Sequence, residues 1–132
     1  MSVQLFSPDG MSQDVPYRQV AIGSGTRHVH VAGQVGMTAD TAGDLAGQVA
    51  QALRNTATGL NGAGASFGDV VRLTFYVAGW EPEMMAPFLA GVDRVAGELA
   101  LPTPMPPASL IGVECLFEPD VLVEVEATAV LE

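Results

Sequence analysis

The sequence predicts an α+β fold in which two helices cover one face of a single mixed sheet. Apolar and polar residues alternate over several short stretches, which is typical of strands with one buried face. Two longer segments carry apolar residues at helical spacing. Strands, helix, strand, helix and strands follow in that order, which favours both helices on one side of the sheet. The 132 residues fit one domain spanning positions 1–132.

Two short strands are predicted near the start of the chain, over residues 18–22 and 28–32. Glycines at positions 23 and 25 separate them, so we expect a hairpin with a loop longer than two residues. His28 and His30 share one face of the second strand, as two metal ligands would. No third ligand lies nearby in the sequence, and we therefore expect hydrogen bonding at an interface or partial burial, without a metal.

Two helices are predicted over residues 44–62 and 82–99. The first ends at Gly62 and Gly64, and the second begins at Pro82, a residue favoured in the first helical turn. Pro87 is compatible with the second helix only if it also lies in the first turn. The residues at helical spacing are Leu45, Val49, Ala52, Leu53, Thr56 and Leu60 in the first helix, and Met85, Phe88, Val92, Val95 and Leu99 in the second.

Three further strands are predicted over residues 70–78, 108–116 and 121–130. In the first of these, alternation places Val71, Leu73, Phe75 and Val77 on one face, and Val70, Arg72, Thr74 and Tyr76 on the other. In the last, it separates Val121, Val123, Val125, Ala127 and Ala129 from Leu122, Glu124, Glu126 and Thr128. In the middle strand Cys115 is expected in the core beside Ile111 and Val113, because an unpaired thiol packs as a small hydrophobe.

The open face of this sheet is predicted to be a subunit interface with a lined cleft. It would carry charged and polar side chains among apolar ones, a mixture that suits a pocket between subunits. The composition agrees, because 48% of the residues are hydrophobic and only 15% are charged. The charged and hydroxyl-bearing members are Arg72, Thr74, Tyr76, Glu124 and Glu126.

The composition also excludes several function classes. Fifteen acidic residues against five basic ones give a net charge of −10, which would repel nucleic acid. All five basic residues are arginines, so no lysine is present for a Schiff base or a phosphate loop. No stretch approaches the roughly 20 apolar residues that cross a bilayer, and residues 1–10 show no signal pattern. We expect a cytoplasmic protein with neither nucleic-acid nor membrane partners.

Four strings occur in order along the chain: Pro16-Tyr17-Arg18-Gln19, Val31-Ala32-Gly33-Gln34-Val35-Gly36, residues 69–77, and Val123-Glu124-Val125-Glu126-Ala127. Together they resemble the Rid family, also called YjgF or endoribonuclease L-PSP, whose best-known members are enamine and imine deaminases. The resemblance implies a chorismate-mutase-like fold, a homotrimer with small-molecule clefts between subunits, and no metal or organic cofactor.

The resemblance also implies site residues and three departures from the family pattern. Tyr17 would bind substrate, and Glu124 would position the water that attacks an imine carbon. Ala108 stands where the deaminases have an arginine that binds the substrate carboxylate through a bidentate contact. Ala32 replaces a frequent serine, and Leu110 replaces a cysteine or threonine. The implied pocket is therefore more apolar than is usual in the family.

Several other residues have both a functional and a structural interpretation. The backbone around Gly33 and Ser109 would supply polar contacts to a ligand. Trp80 follows the central strand and would either wall the cleft or cover a helix end. Tyr17 could instead pack at an interface. Glu126 is expected to serve solubility or to pair with an arginine, rather than to act as an acid or base.

Three functions remain open at this point. The first is a Rid-like enzyme or binder for a neutral imine, enamine or carbonyl compound, which suits the apolar pocket and would hydrolyse or tautomerise its substrate. The second is a deaminase of 2-imino acids, in which Arg18 or Arg72 takes the place of the missing arginine. The third is a trimer that binds a metabolite or a protein without chemistry.

Overall fold

A computed structural model describes residues 2–132 of the chain. Single 3-10 turns at Phe67–Asp69 and Pro82–Met84 precede the fourth strand and the second helix. The elements in chain order are β1 (Val3–Phe6), β2 (Val20–Gly23), β3 (Arg27–Val35), α1 (Leu45–Gly62), β4 (Val70–Ala78), α2 (Met85–Leu99), β5 (Ala108–Val113) and β6 (Val123–Leu131).

Four strands form a mixed sheet in the order β3-β6-β4-β5. β6 pairs antiparallel with both β3 and β4, whereas β4 and β5 run parallel. β1 and β2 form a separate antiparallel pair. The buried residues of both helices join those of the sheet in one apolar core. The predicted class, two helices on a mixed sheet, is therefore confirmed.

The predicted hairpin between residues 18–22 and 28–32 is wrong. β2 pairs with β1, a strand that the sequence analysis did not predict, and β3 pairs with β6. The chain turns away at Gly25, where φ is +158° and a Cβ would clash with the backbone of Leu131. β3 and β6 each have nine residues, so pairing between them satisfies far more backbone groups than a short hairpin could.

Both helices bury the predicted faces except at Met85 and at the half-buried Leu99. All six apolar-spaced positions of α1 are buried, and Asp44 caps its first turn by accepting a hydrogen bond from the Gly47 N–H. Pro87 lies in the first turn of α2, as its missing N–H requires. Met85, however, is 41% exposed because it begins the helix at its solvent end. Neither helix is long and apolar enough to span a membrane, as judged over residues 2–132.

Gln48 is a buried polar residue that ties α1 to two loops. Its side-chain NH₂ donates to the carbonyls of Thr41 and Asp120 at 3.1 and 3.2 Å. Its Oε1 accepts the N–H of Leu122 at 2.9 Å. Because every buried polar group needs a partner, this amide holds the loop that leads into β6 against the helix.

The two faces of β6 are those predicted, but the start of β4 differs. Pairing with β6 shifts by one residue between Val70 and Arg72, which is a β-bulge. Val70 therefore points into the core with no exposure, while Val71 lies on the open face beside Gly23. The alternation resumes at Arg72, so the remaining assignments on this strand are correct.

Cys115 is exposed, so its predicted place in the core is wrong. β5 ends at Val113 rather than continuing to residue 116, and Cys115 lies in the following loop. Ile111 is 43% exposed, while Ala108 and Leu110 pack against the core. β5 is an edge strand, so the face with fewer helix contacts lies open to solvent. Because β5 has apolar residues on both faces, its sequence pattern did not indicate which face is buried.

Candidate ligand-binding site

A cavity of about 320 Å³ lies between β5, the start of α2 and the segment around Tyr17. It is lined mainly by apolar side chains, including Phe75, Met85, Phe88, Leu89, Met105 and Leu110. Its volume is at the lower end of the range for small-molecule pockets. An apolar compound about the size of a single aromatic ring with a short chain suits such a space.

The cavity walls are held by contacts from three parts of the fold. The rings of Phe75 on β4 and Phe88 on α2 meet edge to face, with centroids 4.9 Å apart. Tyr17 forms an isolated parallel bridge with Met105. In that bridge the Arg18 N–H donates to the Met105 carbonyl at 2.7 Å, and the Met105 N–H donates to the Pro16 carbonyl at 2.9 Å. This pairing fixes the tyrosine beside β5.

Among the lining residues, Tyr17 and Ser109 carry hydroxyls. Ser109 pairs with Thr74, so its side chain points to the open face of the sheet, where its Oγ accepts from Arg72. Ala108 also lines the cavity, so no cation projects into it from this position. The structure thus brings together four of the predicted site residues: Tyr17, Ala108, Ser109 and Leu110. Their combined surface suits uncharged apolar groups, and the Tyr17 hydroxyl can both donate a hydrogen bond and accept one.

A polar pocket of about 220 Å³ adjoins this cavity and shares three of its residues, Tyr17, Ala108 and Ser109. Arg18 and Arg72 also line it. The Arg72 Nη2 donates to the Ser109 Oγ at 2.5 Å, which places its guanidinium beside the rim of the cavity.

A second group of predicted residues lies on the open face of the sheet. Glu124 on β6 is half-buried and pairs in register with Tyr76 on β4 and Val35 on β3. Gly33 lies in a β-bulge of β3, where a Cβ would overlap the Glu124 carboxylate. The glycine therefore leaves the room in which this carboxylate lies, and its backbone remains close to it.

Tyr76 and Glu126 form a short hydrogen bond on the same face. The phenol donates to the Glu126 Oε1 at 2.6 Å. This bond, aided by desolvation and by the charges of Glu126 and Glu124, raises the pKa of Tyr76 above its ordinary value of 10.0. Glu126 was predicted to serve solubility or to pair with an arginine, and its partner within the chain is instead this tyrosine.

Glu124, Gly33 and Ala32 do not reach the cavity within one chain. Glu124 lies two strands away from β5 and two residues along from Ser109, so their Cα positions are about 12 Å apart by strand spacing and rise. The side chain of Tyr76 stands between them in register. The predicted site is thus divided into a cavity group at β5 and a carboxylate group at β3 and β6.

Trp80 lies behind the cavity rather than among the residues that line it. Its ring meets Phe88 edge to face at 6.5 Å, and its Cβ packs close to Gly112 on β5.

The rings of His28 and His30 stack 6.5 Å apart on the open face, as predicted from their spacing. Over residues 2–132, no group of three or more His, Cys, Asp or Glu side chains is placed to hold a metal ion.

Several residues that line the cavity were not predicted as site residues, among them Met105 and Phe88. Met105 was not singled out, and Phe88 was predicted only as a core residue of the second helix. Met105 could have been predicted, because it lies three residues before Ala108 and residues next to a predicted site strand tend to lie near the same site. No pattern in the sequence placed Phe88 in one cavity with Tyr17, since the two residues are 71 positions apart in the chain.

The chain is similar to a known protein family and to several solved structures. The sequence profile of the family described as Endoribonuclease L-PSP matches residues 10–131. YyfB of Yersinia pestis, a protein of unknown function in the Rid family, is 33% identical over 99% of this chain and 100% of its own, with a TM-score of 0.84. Rv2704 of Mycobacterium tuberculosis, from the YjgF/YER057c/UK114 family, is 30% identical over 98% of this chain and 100% of its own, with a TM-score of 0.64.

A third structure is of interest for its ligand. TdcF of Escherichia coli, determined with bound serine, is 25% identical over 96% of this chain and 94% of its own, with a TM-score of 0.67. No curated protein matches the chain. The resemblance inferred from the four sequence strings is thus confirmed independently by a family profile and by solved structures.

Proposed function

The chain belongs to the endoribonuclease L-PSP (Rid, YjgF) family, and from this premise we propose that it forms a homotrimer that binds a small imine, enamine or carbonyl compound in its inter-subunit clefts. The part of the compound that fills each cavity is neutral and apolar. The serine bound to the relative TdcF supports the binding of a small molecule.

The observation that carries this proposal is the lining of the 320 Å³ cavity. Burying a carboxylate there without a cation would cost several kcal/mol, because the group would lose its hydration and gain no partner. Ala108 supplies no such cation. A neutral imine or carbonyl group needs a hydrogen-bond donor for its lone pair. An imine or enamine also needs an acceptor for its N–H. The Tyr17 hydroxyl can meet either need, because it both donates and accepts.

A neighbouring subunit would supply the carboxylate. Glu124 lies about 12 Å from Ser109 within one chain, so the two groups act on one ligand only if a second copy brings its own Glu124 to the cavity. Ile111 and Phe117, 43% and 71% exposed, flank this edge of the sheet and give it apolar surface for such a contact.

The chemistry open to this arrangement is hydrolysis of the C=N bond or tautomerisation. In hydrolysis the Glu124 carboxylate would accept a proton as water attacks the imine carbon and would pass it to the nitrogen, which gives a carbinolamine. The carboxylate would then take the proton of the new hydroxyl group and pass it to the nitrogen, so that C=O forms, the C–N bond breaks and ammonia leaves. The products are a carbonyl compound and ammonia, and the carboxylate is restored. Tyr17 would bind the substrate through its hydroxyl throughout.

Binding of benzylacetone, a neutral apolar ketone, tests the proposal. We expect saturable binding to the wild-type protein by ligand-observed NMR, and weaker binding to Ala108→Arg because the guanidinium would occupy the cavity. Wild-type protein should leave the decay of 2-iminopropanoate, generated by an amino-acid oxidase, at the rate in buffer. Rapid loss of this imine with no binding of the ketone would overturn the proposal in favour of a 2-imino acid deaminase.

Two further measurements separate the remaining possibilities. Light scattering should give three times the 13.7 kDa of one chain, and a monomer would contradict the shared cleft. The imine of benzylacetone should release ammonia faster with the wild-type protein than with Glu124→Gln. Saturable binding with an unchanged ligand would instead identify a binding protein without chemistry.

A further inference from the structure

A second space adjoins the cavity, between α2 and the loop that precedes β5. Its volume is about 280 Å³, and its lining includes the exposed Asp93 of α2. Val92 lines this space but not the cavity, whereas Pro16, Leu89 and Met105 line both. The three shared residues therefore form a partition between two spaces of similar size.

The backbone of this partition is fixed by hydrogen bonds. The Met105 N–H donates to the Pro16 carbonyl at 2.9 Å, and the Arg18 N–H donates to the Met105 carbonyl at 2.7 Å. The ring of Pro16 is itself rigid. Beyond this backbone, the two spaces are kept apart by the side chains of Met105 and of Leu89, which is half-buried on α2.

Met105 is the more deeply buried of these two side chains. It is 3% exposed and belongs to the apolar core, so most of its surface is packed and only an edge faces either space. Interiors are normally close-packed, and a buried methionine with open space on two sides is a thin wall. Shortening this side chain to alanine would join the two spaces and nearly double the volume open to a ligand.

We infer that Met105 is a specificity-determining residue: its side chain closes the cavity towards the second space and restricts the ligand to a short apolar body. The inference rests on the proposed function, because it takes the cavity as the place of the ligand. It adds the size of the compound to that proposal. A chain that outgrows the cavity gains no further burial at Met105, and its end stays in water.

The methyl ketones from 2-pentanone to 2-undecanone test this restriction, because they differ only in the length of one alkyl chain. Ligand-observed NMR measures the affinity of each ketone. Wild-type protein should bind each longer ketone more tightly, by about fourfold per added methylene, until the chain fills the cavity. The length at which the affinity stops rising is the length limit, and beyond it the affinity should stay level.

Met105→Ala should move the length limit to longer ketones, because the chain can then enter the second space. Met105→Leu is the matched control, since leucine has a similar volume, keeps the partition and should keep the wild-type limit. Val92→Ala is a second control, because it enlarges the second space alone. A purely structural role of Met105 would weaken the binding of all ketones alike and leave the limit where it is.

A measurement on the wild-type protein keeps the inference testable if Met105→Ala fails to fold. The methyl groups of the six methionines are isotope-labelled, and the Met105 signal is assigned by its loss in Met105→Leu. The chain end of the ketone at the length limit should show a nuclear Overhauser contact to the Met105 methyl group. A bound ketone without this contact would overturn the inference.

The outcomes separate this inference from the proposed function. The same limit in Met105→Ala and in the wild-type protein, or no limit in either, would overturn the role of Met105 and leave the cavity proposal standing. A limit that also moves in Met105→Leu would overturn it too, because the partition is then not what sets the length. Failure of every ketone, benzylacetone included, to bind would overturn the proposed function itself.

Discussion

Neighbouring residues of β4 face two different environments. Leu73 and Phe75 are buried against the helices, whereas Thr74 and Tyr76 lie on the open face with Glu124 and Glu126. On the first side shape and apolar area decide which residues fit. On the second, hydrogen bonds and charges place the side chains, and little packing from the same chain covers them. The comparison teaches that apolar packing dominates one face, whereas the candidate carboxylate Glu124 lies on the other.

The largest expected effect is on the buried face. Leu73→Ala should lower the free energy of unfolding by about 2–5 kcal/mol, because it removes a fully buried side chain and leaves a cavity. Thr74→Ala, one residue further on the open face, should lower it by less than about 1 kcal/mol. Urea denaturation at one protein concentration measures both. Equal losses would mean that the open face is as tightly packed as the core.

A polar residue on the buried face gives the next largest effect. Gln48→Leu should cost about 1–3 kcal/mol, because it removes the partner of the Leu122 N–H and of the Asp120 carbonyl, whereas the Thr41 carbonyl keeps the Asp44 N–H. Gln51→Leu is the control, since the Gln51 amide bonds only to Asn55 in the same helix. The same denaturation experiment applies. A stabilising Gln48→Leu would show that these loops satisfy their backbone groups in another way.

Gly33→Ala sharpens the comparison on the open face. The new methyl group would displace the Glu124 carboxylate, whose flexible side chain can turn away, so the loss of stability should stay below about 1 kcal/mol. Carbon-detected NMR should nevertheless show a moved carboxylate signal, assigned by comparison with Glu124→Gln. Gly97→Ala, exposed on α2 with open space around it, should leave that signal in place. An unmoved signal in Gly33→Ala would contradict the close contact.

The smallest effect concerns the titration of Tyr76. Its pKa is raised because the neutral phenol donates to Glu126, so this hydrogen bond stabilises the fold below the ordinary pKa and is lost as pH rises through the raised one. Ultraviolet absorbance should therefore show late ionisation of one of the two tyrosines. Glu126→Gln should lower that pKa towards its ordinary value, and Tyr17→Phe should leave it unchanged. A lowered pKa in the wild-type protein would contradict the bond.

Much of the fold could be predicted because periodicity reports which side of an element is buried. β6 and both helices bury nearly all the residues that their spacing indicated, with the exposed Met85 and the half-buried Leu99 as exceptions. The errors have specific causes. A bulge reversed Val70 and Val71, and the end of β5 at Val113 left Cys115 in a loop. Neither a bulge nor the end of an edge strand can be predicted from the local pattern of apolar residues, because the pattern continues through both.

The candidate site was predictable only in part. The string around Tyr17 and the segment around Ala108 were found separately, and the structure places them on one cavity wall. Glu124 was expected to act with them, yet strand order separates it from β5 by the whole width of β4. Strand order depends on which strands pair across the chain, and each strand's own sequence is compatible with several partners.

The sequence by itself determined the fold class, the buried faces and the family, because these follow from local spacing and from short strings of residues. Only the tertiary structure decided which residues meet. It paired β2 with β1 rather than β3, brought Arg18 and Arg72 into one pocket, and divided the site residues between a cavity and an open face. The physical reason is that such contacts depend on the pairing and packing of distant segments, which no local pattern specifies.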